Sequence, residues 1–254
     1  MAHWLLTLQY DGSRYHGWQV QPNGVTVQQV LQDAVQRLTG VRSGITGCSR
    51  TDAGVHAEMF CCALHTDSRI PPEKVPAALN AHLPRDVAVT ACRLVPDDFH
   101  PRYDARGKRY VYRIWNHPAR NPFLEGRAYH YGRRLDMDAM NAAAAALVGQ
   151  HDFAAFCAAG SSVEDTVRCV SACGVTRRGD LVEIRVQADG FLYNMVRIMV
   201  GTLIFINEGK IGETQIPDIL ASKDRTRGGK TVPPQGLYLN EVYYDKDKGS
   251  EQGE

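Results

Sequence analysis

Arg50-Thr51-Asp52-Ala53-Gly54-Val55-His56-Ala57 is the stretch on which the reading of this chain turns. An arginine stands two residues before an aspartate. A glycine follows two residues after it and a histidine two later again. Upstream, Val41 to Cys48 reads as a turn and a short strand; downstream, Phe60 to Thr66 reads as another strand. Asp52 is thereby placed in a loop between ordered elements, where functional polar residues concentrate. A carboxylate in that setting serves as nucleophile, base, metal ligand or helix cap. The alternative is an Asx-type turn with a surface ion pair. Spacing alone leaves both open.

Outward from the octet, the chain alternates strand and helix. His3 to Gln9 has strand content, and Asp11-Gly12 ends it. Thr26 to Leu38 carries Val27, Val30, Leu31, Ala34, Val35 and Leu38 at helical spacing, with Thr26 as N-cap and Gly40 past the end. Pro71-Pro72 opens a helix through Leu83, and Val87 to Leu94 is a strand. A similar order recurs after residue 106: strand Gly107 to Trp115, helix Asp136 to Val148, strands Val167 to Thr176 and Leu181 to Ala188 about a hairpin turn, helices Phe191 to Asn207 and Ile216 to Ala221, and a closing strand Leu237 to Tyr244. The expected class is α+β, with antiparallel or mixed sheets and helices on one face. Residues 1–98 form an N-terminal half with the Asp52 loop, 99–244 a C-terminal half, and 245–254 a polar tail expected to be disordered.

The chain of 254 residues is 44% hydrophobic, enough for a sizeable core. It has no uncharged apolar run near the length of a membrane span, and its start lacks the pattern of a secretion signal. Seven cysteines in a chain of this length suit a reducing, cytoplasmic setting better than a disulfide framework. Net charge is only +1, but it is unevenly spread. Residues 99–135 hold nine Arg or Lys against Asp104 and Glu125; a second basic run is Lys223, Arg225, Arg227 and Lys230 around Asp224. Two basic patches on a near-neutral chain suit phosphate contact; the other reading is ordinary solvated surface.

Several signals for other chemistry are absent. Gly229-Lys230-Thr231 resembles the end of a phosphate loop, but Asp224 stands where that motif needs glycine. Neither Cys61-Cys62 nor Cys169 with Cys173 has a histidine partner set, so no zinc site is expected. There is no nucleophile elbow and no dinucleotide fingerprint. Neither metal nor cofactor is expected.

The octet is one of four segments that together resemble the TruA-class tRNA pseudouridine synthases. The others are Tyr15-His16-Gly17-Trp18-Gln19, Lys108-Arg109-Tyr110-Val111-Tyr112-Arg113 and Gly190-Phe191-Leu192-Tyr193-Asn194-Met195-Val196-Arg197. Order and spacing match over about residues 3 to 244. Cys48-Ser49 departs from the small residue and glycine that many relatives carry before the arginine. The resemblance implies the pseudouridine synthase fold: two ferredoxin-like halves joined in one mostly antiparallel sheet, with a central cleft. It implies a cofactor-free isomerase converting uridine to pseudouridine at positions 38, 39 and 40 of the tRNA anticodon arm, acting as a homodimer.

In that reading Asp52 is the essential carboxylate, Arg197 its salt-bridge partner, and Tyr110 the ring that stacks on uracil and helps move a proton. Arg50 contacts the substrate backbone. From the residues themselves, Arg197 lies in an apolar helical run, where a charge needs a partner. Tyr110 and Tyr112 share one side of their strand, and either serves equally as core. Arg14, Tyr15, Trp18 and Gln19 are candidate tRNA contacts, although the aromatics suit a loop anchor as well. His56 is assigned a scaffold or backbone-binding role. Arg106, Arg109 and Arg227 are candidate phosphate contacts.

Overall fold

The computed structural model describes residues 1–161 and 163–245. β1 (Ala2–Tyr10) buries Trp4, Leu6, Leu8 and Tyr10 on one face and Leu5 on the other, the pattern of a strand flanked on both edges. α1 (Val27–Thr39) begins where expected: the Thr26 hydroxyl accepts the Gln29 N–H, and Gly40 closes the helix in the left-handed region. Its buried face is Val27, Leu31, Ala34 and Val35. The short β2 (Thr46–Gly47) is followed by β3 (His56–Thr66), which starts four residues earlier than strand composition predicts. α2 (Val75–Asn80) is shorter than the helix read through Leu83. Asn80 explains the difference: its amide donates to the Val89 carbonyl at 2.9 Å and accepts the Val89 N–H at 2.8 Å, tying the helix end to β4 (Val87–Leu94).

β1 pairs antiparallel with both β3 and β4, and β2 pairs antiparallel with β3. The register places His3 opposite His65 at one end of β1 and Tyr10 opposite Ala57 at the other.

β5 (Ala105–Trp115) leads into a second unit, Gly107–Leu237. Here lie the short β6 (Tyr129–His130), α3 (Met137–Ala145), β7 (Gly149–Asp152), β8 (Val167–Arg178), β9 (Leu181–Ala188), α4 (Met195–Asn207) and α5 (Ile216–Ser222). β5, β9, β8 and β7 pair antiparallel in that order, and β6 runs parallel to β5. Asp136 caps α3 by accepting the N–H groups of Asp138 and Ala139. α4 is buried all round from Ile198 to Ile204, as its composition requires. It begins at Met195, not at Phe191, because Asn194 takes a left-handed conformation (φ 59°) that breaks the preceding turn.

β10 (Leu237–Tyr244) closes the chain. The sequence reading assigned it to the second half, yet Tyr238 onward belongs with residues 1–106. It pairs parallel with β3, Tyr238 opposite His56 and Leu239 opposite Ala57. Each unit is thus helices on a sheet containing both parallel and antiparallel pairs, the α+β class. The expected tail lies, from residue 246 on, outside the described residues. No helix among the described residues is long and apolar enough to cross a membrane.

Glu208, just past α4, is nearly buried and accepts the Tyr131 hydroxyl at 2.9 Å and the Lys210 ammonium at 2.5 Å. Lys210 first, and Tyr131 with it, hold its carboxyl below the usual glutamate value against the opposing effect of burial. A depressed folded value stabilises the fold above the unfolded pKa, and that stability is lost as pH falls through the folded value. Glu208→Gln should lower Tm at pH 7 by about 2 to 4 °C. The gap from wild type should shrink as pH drops below about 4.5. Thermal melts from pH 3 to 7 check this; a gap independent of pH contradicts it.

Candidate active site

The candidate residues fall in two groups, one on each unit. In the first, Asp52 sits half-buried in a tight turn closed by the Val55 N–H donating to the Asp52 carbonyl at 3.2 Å, with Gly54 at φ 76°. The turn is braced by the segment after β1. The Trp18 N–H donates to the Thr51 carbonyl at 3.1 Å, and the Gly54 N–H to the Tyr15 carbonyl at 3.3 Å. Gly17 permits this approach: it has φ 86°, and a Cβ there would stand 2.5 Å from the Thr51 carbonyl oxygen. The Tyr10 and Thr51 hydroxyls bond at 2.8 Å, so the end of β1 also fixes the residue before Asp52. The backbone that carries Asp52 is held on both sides, as preorganisation demands. In a strand-like segment Arg50, two residues before Asp52, would point the same way; residues 49–52 are irregular instead, and Arg50 is exposed.

His56 is only 2% exposed. Its Nδ1 accepts the Gly12 N–H at 3.1 Å and lies 3.2 Å from Asp11 Oδ1, and its ring stacks on Tyr238 with centroids 4.5 Å apart. Those contacts are those of a scaffold residue that joins the two loops. The aromatic loop divides likewise. Trp18 is 3% exposed and stacks on Phe60 at 4.1 Å. Tyr15 is 7% exposed and donates its hydroxyl to Asp86 Oδ1 at 2.7 Å. Of the two readings of these rings, the loop anchor accounts for their burial in this structure. Burial, then the Asp86 carboxylate, push the Tyr15 phenol above its ordinary range. Arg14 also engages Asp86, its Nε donating at 2.8 Å, while most of its side chain stays in solvent. Gln19 and His16 are exposed beside them.

In the second unit, Tyr110 lies on β5 opposite Val186 of β9, packed edge-on against Phe191 with centroids 4.9 Å apart. The left-handed Asn194 that delays α4 leaves Phe191 in this position. Tyr112, on the same side of β5, is fully buried and donates its hydroxyl to the Pro233 carbonyl at 2.7 Å. It is a core residue, as either tyrosine had equal claim to be. Burial raises the Tyr112 phenol, with Arg197 working against it. Arg197, in the first turn of α4, donates from Nε to the Val232 carbonyl at 2.8 Å and from Nη1 to Asn194 Oδ1 at 2.5 Å. These two carbonyl-type acceptors set its direction.

The segment from 223 to 236, rich in Gly, Pro and charge, has hydrogen bonds of its own. The Gly229 N–H donates to the Thr202 hydroxyl at 2.8 Å, and Lys230 reaches the Tyr129 hydroxyl at 3.1 Å. Arg227 is exposed there, its Nη1 donating to the Asp218 carbonyl at 3.4 Å. Arg106 is exposed and donates to Asp245 Oδ2 at 2.8 Å; Arg109 is half-buried.

Against this geometry stand the comparisons. A family model described as tRNA pseudouridine synthase matches residues 7–104 and 143–245. The chain belongs to that family. It is 47% identical over 244 residues to tRNA pseudouridine synthase A of Thermoanaerobacter sp. (strain X514), covering 96% of this chain and 100% of the relative. It is 47% identical over 240 residues to tRNA pseudouridine synthase A of Ruminiclostridium cellulolyticum, covering 94% and 98%. The enzyme of that name from Caldicellulosiruptor saccharolyticus is 44% identical over 244 residues, covering 96% and 100%.

Within this tRNA pseudouridine synthase chain, sequence reasoning passed over two residues that organise the candidate site. Asp86 read as turn punctuation, yet it anchors Arg14 and Tyr15 from 71 or more positions away. Thr51 read as filler between Arg50 and Asp52, yet it ties the loop to Tyr10. No local pattern marks either one, since both partners are distant in sequence.

Proposed function

We propose that this chain isomerises uridine to pseudouridine at positions 38, 39 and 40 of the tRNA anticodon arm. In this reading it works in the cytoplasm as a homodimer of the pseudouridine synthase fold, with ferredoxin-like halves and no cofactor. The observation that carries the reading is Asp52 at the tip of a doubly braced loop, in a chain belonging to the tRNA pseudouridine synthase family. The reaction breaks the bond between ribose C1′ and uracil N1 and forms one between C1′ and C5; the C5 proton leaves and N1 gains one. Nothing is oxidised and no water is consumed. Asp52 acts either by attacking C1′ or by taking a ribose proton, and both routes require an ionised carboxylate.

Arg197 is the guanidinium assigned to keep Asp52 charged in the working enzyme. Tyr110 is assigned to the uracil ring and its proton. Arg50 and the exposed Arg14, Gln19, Arg106, Arg109 and Arg227 are assigned to the RNA backbone. The target base leaves its stack to reach the carboxylate, at a cost of a few kcal/mol. Because an A-form stem hides its base edges, shape and phosphate contacts select the tRNA. The odd count of seven cysteines in a chain of this length suits a reducing compartment better than a disulfide framework.

Release of tritium from tRNA labelled at uracil C5 tests the chemistry, since every turnover expels that hydrogen. Stoichiometric release at the modified uridines supports it; no release under single-turnover conditions contradicts it. Arg197→Met should lose about a hundredfold or more in single-turnover rate, because stranding one member of a desolvated ion pair costs about 3 to 5 kcal/mol. It should also loosen Val232. Full activity with unchanged stability in R197M removes Arg197 from the mechanism.

A further inference from the structure

We propose that His3, His65 and Asp97 form a binding site for one zinc-class divalent cation, a structural staple on the first unit. Two of the side chains come from the paired strands β1 and β3, and the third from the turn after β4. His3 and His65 are directly opposite in the β1–β3 register, and their rings stack with centroids 3.9 Å apart at 16°. Asp97 follows β4, where the Val95 N–H donates to the His3 carbonyl at 3.0 Å and holds the chain against the start of β1. One ligand atom from each residue lies within 4.8 Å of the other two.

His3 gives the cluster its direction. It is only 6% exposed, and its Nδ1 lies 2.7 Å from the Pro96 carbonyl oxygen. A carbonyl only accepts, so Nδ1 carries a proton and Nε2 is the nitrogen left to serve as ligand atom. Metal-binding histidines are oriented in this way, by donating the second ring N–H to a carbonyl or carboxylate. The residue next to that carbonyl is Asp97, so one short segment both orients the imidazole and supplies the carboxylate.

Two imidazoles and one carboxylate suit zinc, nickel or copper, and suit magnesium or calcium poorly. Around a tetrahedral ion with bonds of about 2.0 to 2.1 Å, ligand atoms stand about 3.3 Å apart. In the stack the two in-plane nitrogen lone pairs run side by side. The exposed His65 ring therefore turns out of it and Asp97 rotates to bring the ligand atoms together, with water in the fourth position. The cluster lies at the opposite end of β1 from Tyr10 and the Asp52 loop, about 20 Å along the strand. Its role is therefore to pin β1, β3 and the segment after β4 together, separate from the isomerisation.

Chelator-stripped full-length protein, titrated calorimetrically with zinc chloride, tests the site. The expected result is one saturable site with a micromolar or lower Kd, and a Tm rise of about 3 °C or more at saturation. Magnesium should produce neither effect. His65→Ala and Asp97→Ala, both at exposed positions, should each weaken zinc at least tenfold and abolish the Tm rise, with metal-free melting close to wild type. Cobalt substitution should give visible bands without the near-ultraviolet absorption of thiolate ligation, which separates this site from the cysteines. Absence of saturable binding in the wild type overturns the proposal. So does wild-type zinc affinity in both variants, or cobalt bands of thiolate type.

Discussion

Asp52→Asn should abolish isomerisation, lowering the single-turnover rate by about 10⁴-fold or more, while leaving tRNA affinity within a few-fold. The substitution keeps the side chain's shape and removes only its charge and its nucleophilicity. Losses of that size follow when the one group that makes or directs a covalent bond is removed. The fold should survive, because the loop is held by its main chain: Trp18 to Thr51, Gly54 to Tyr15 and Val55 to Asp52 all bond through backbone atoms. Rapid-mix assays on unmodified tRNA, with melting curves of both proteins, separate chemistry from stability. Turnover of D52N near that of wild type would remove the central residue of the account.

The second large effect falls on stability. In Gly201→Ala, the added methyl group would be driven into the Lys230 carbonyl, where the backbone of residues 229–230 crosses α4 in direct contact. Neither side can yield easily. Gly201 lies in the fully buried part of α4, and the crossing segment is pinned by the Gly229 N–H on Thr202 and by Arg197 on Val232. Overpacking of a well-filled interior costs about 1 to 3 kcal/mol, and a backbone clash belongs at the upper end. That predicts a Tm lower by about 6 °C or more. An exposed glycine with nothing near its Cβ position, such as Gly44, is the control and should tolerate alanine without measurable loss. A G201A melt equal to wild type would show that the segment does not cross the helix as described.

What the sequence disclosed follows from the range of each interaction. The limits of α1 were legible because Thr26 and Gly40 are local signals. β4 and β10 were legible because turn residues bracket compact apolar runs. The start of α4 was not, because apolar content continues through Phe191 and Leu192 and the break rests on the backbone of one asparagine. The unit to which β10 belongs was not legible either, since parallel pairing with β3 joins residues some 180 positions apart. For the candidate site, the motif segments picked out the braced loop and the Arg197 turn. They did not separate anchor from contact: burial of Tyr15 and Trp18 depends on Asp86 and Phe60. The cluster of His3, His65 and Asp97 is invisible in one dimension for the same reason. Its members share no motif and meet only through strand register.

The central claim is that this chain makes pseudouridine at defined positions of the anticodon arm. Incubating the purified full chain with unmodified tRNA, and mapping pseudouridine at base resolution, tests it most directly. The account predicts new pseudouridine at positions 38, 39 and 40 wherever the tRNA carries uridine there, and none with the Asp52→Asn protein. No pseudouridine, or pseudouridine confined to sites outside the anticodon arm, would contradict it.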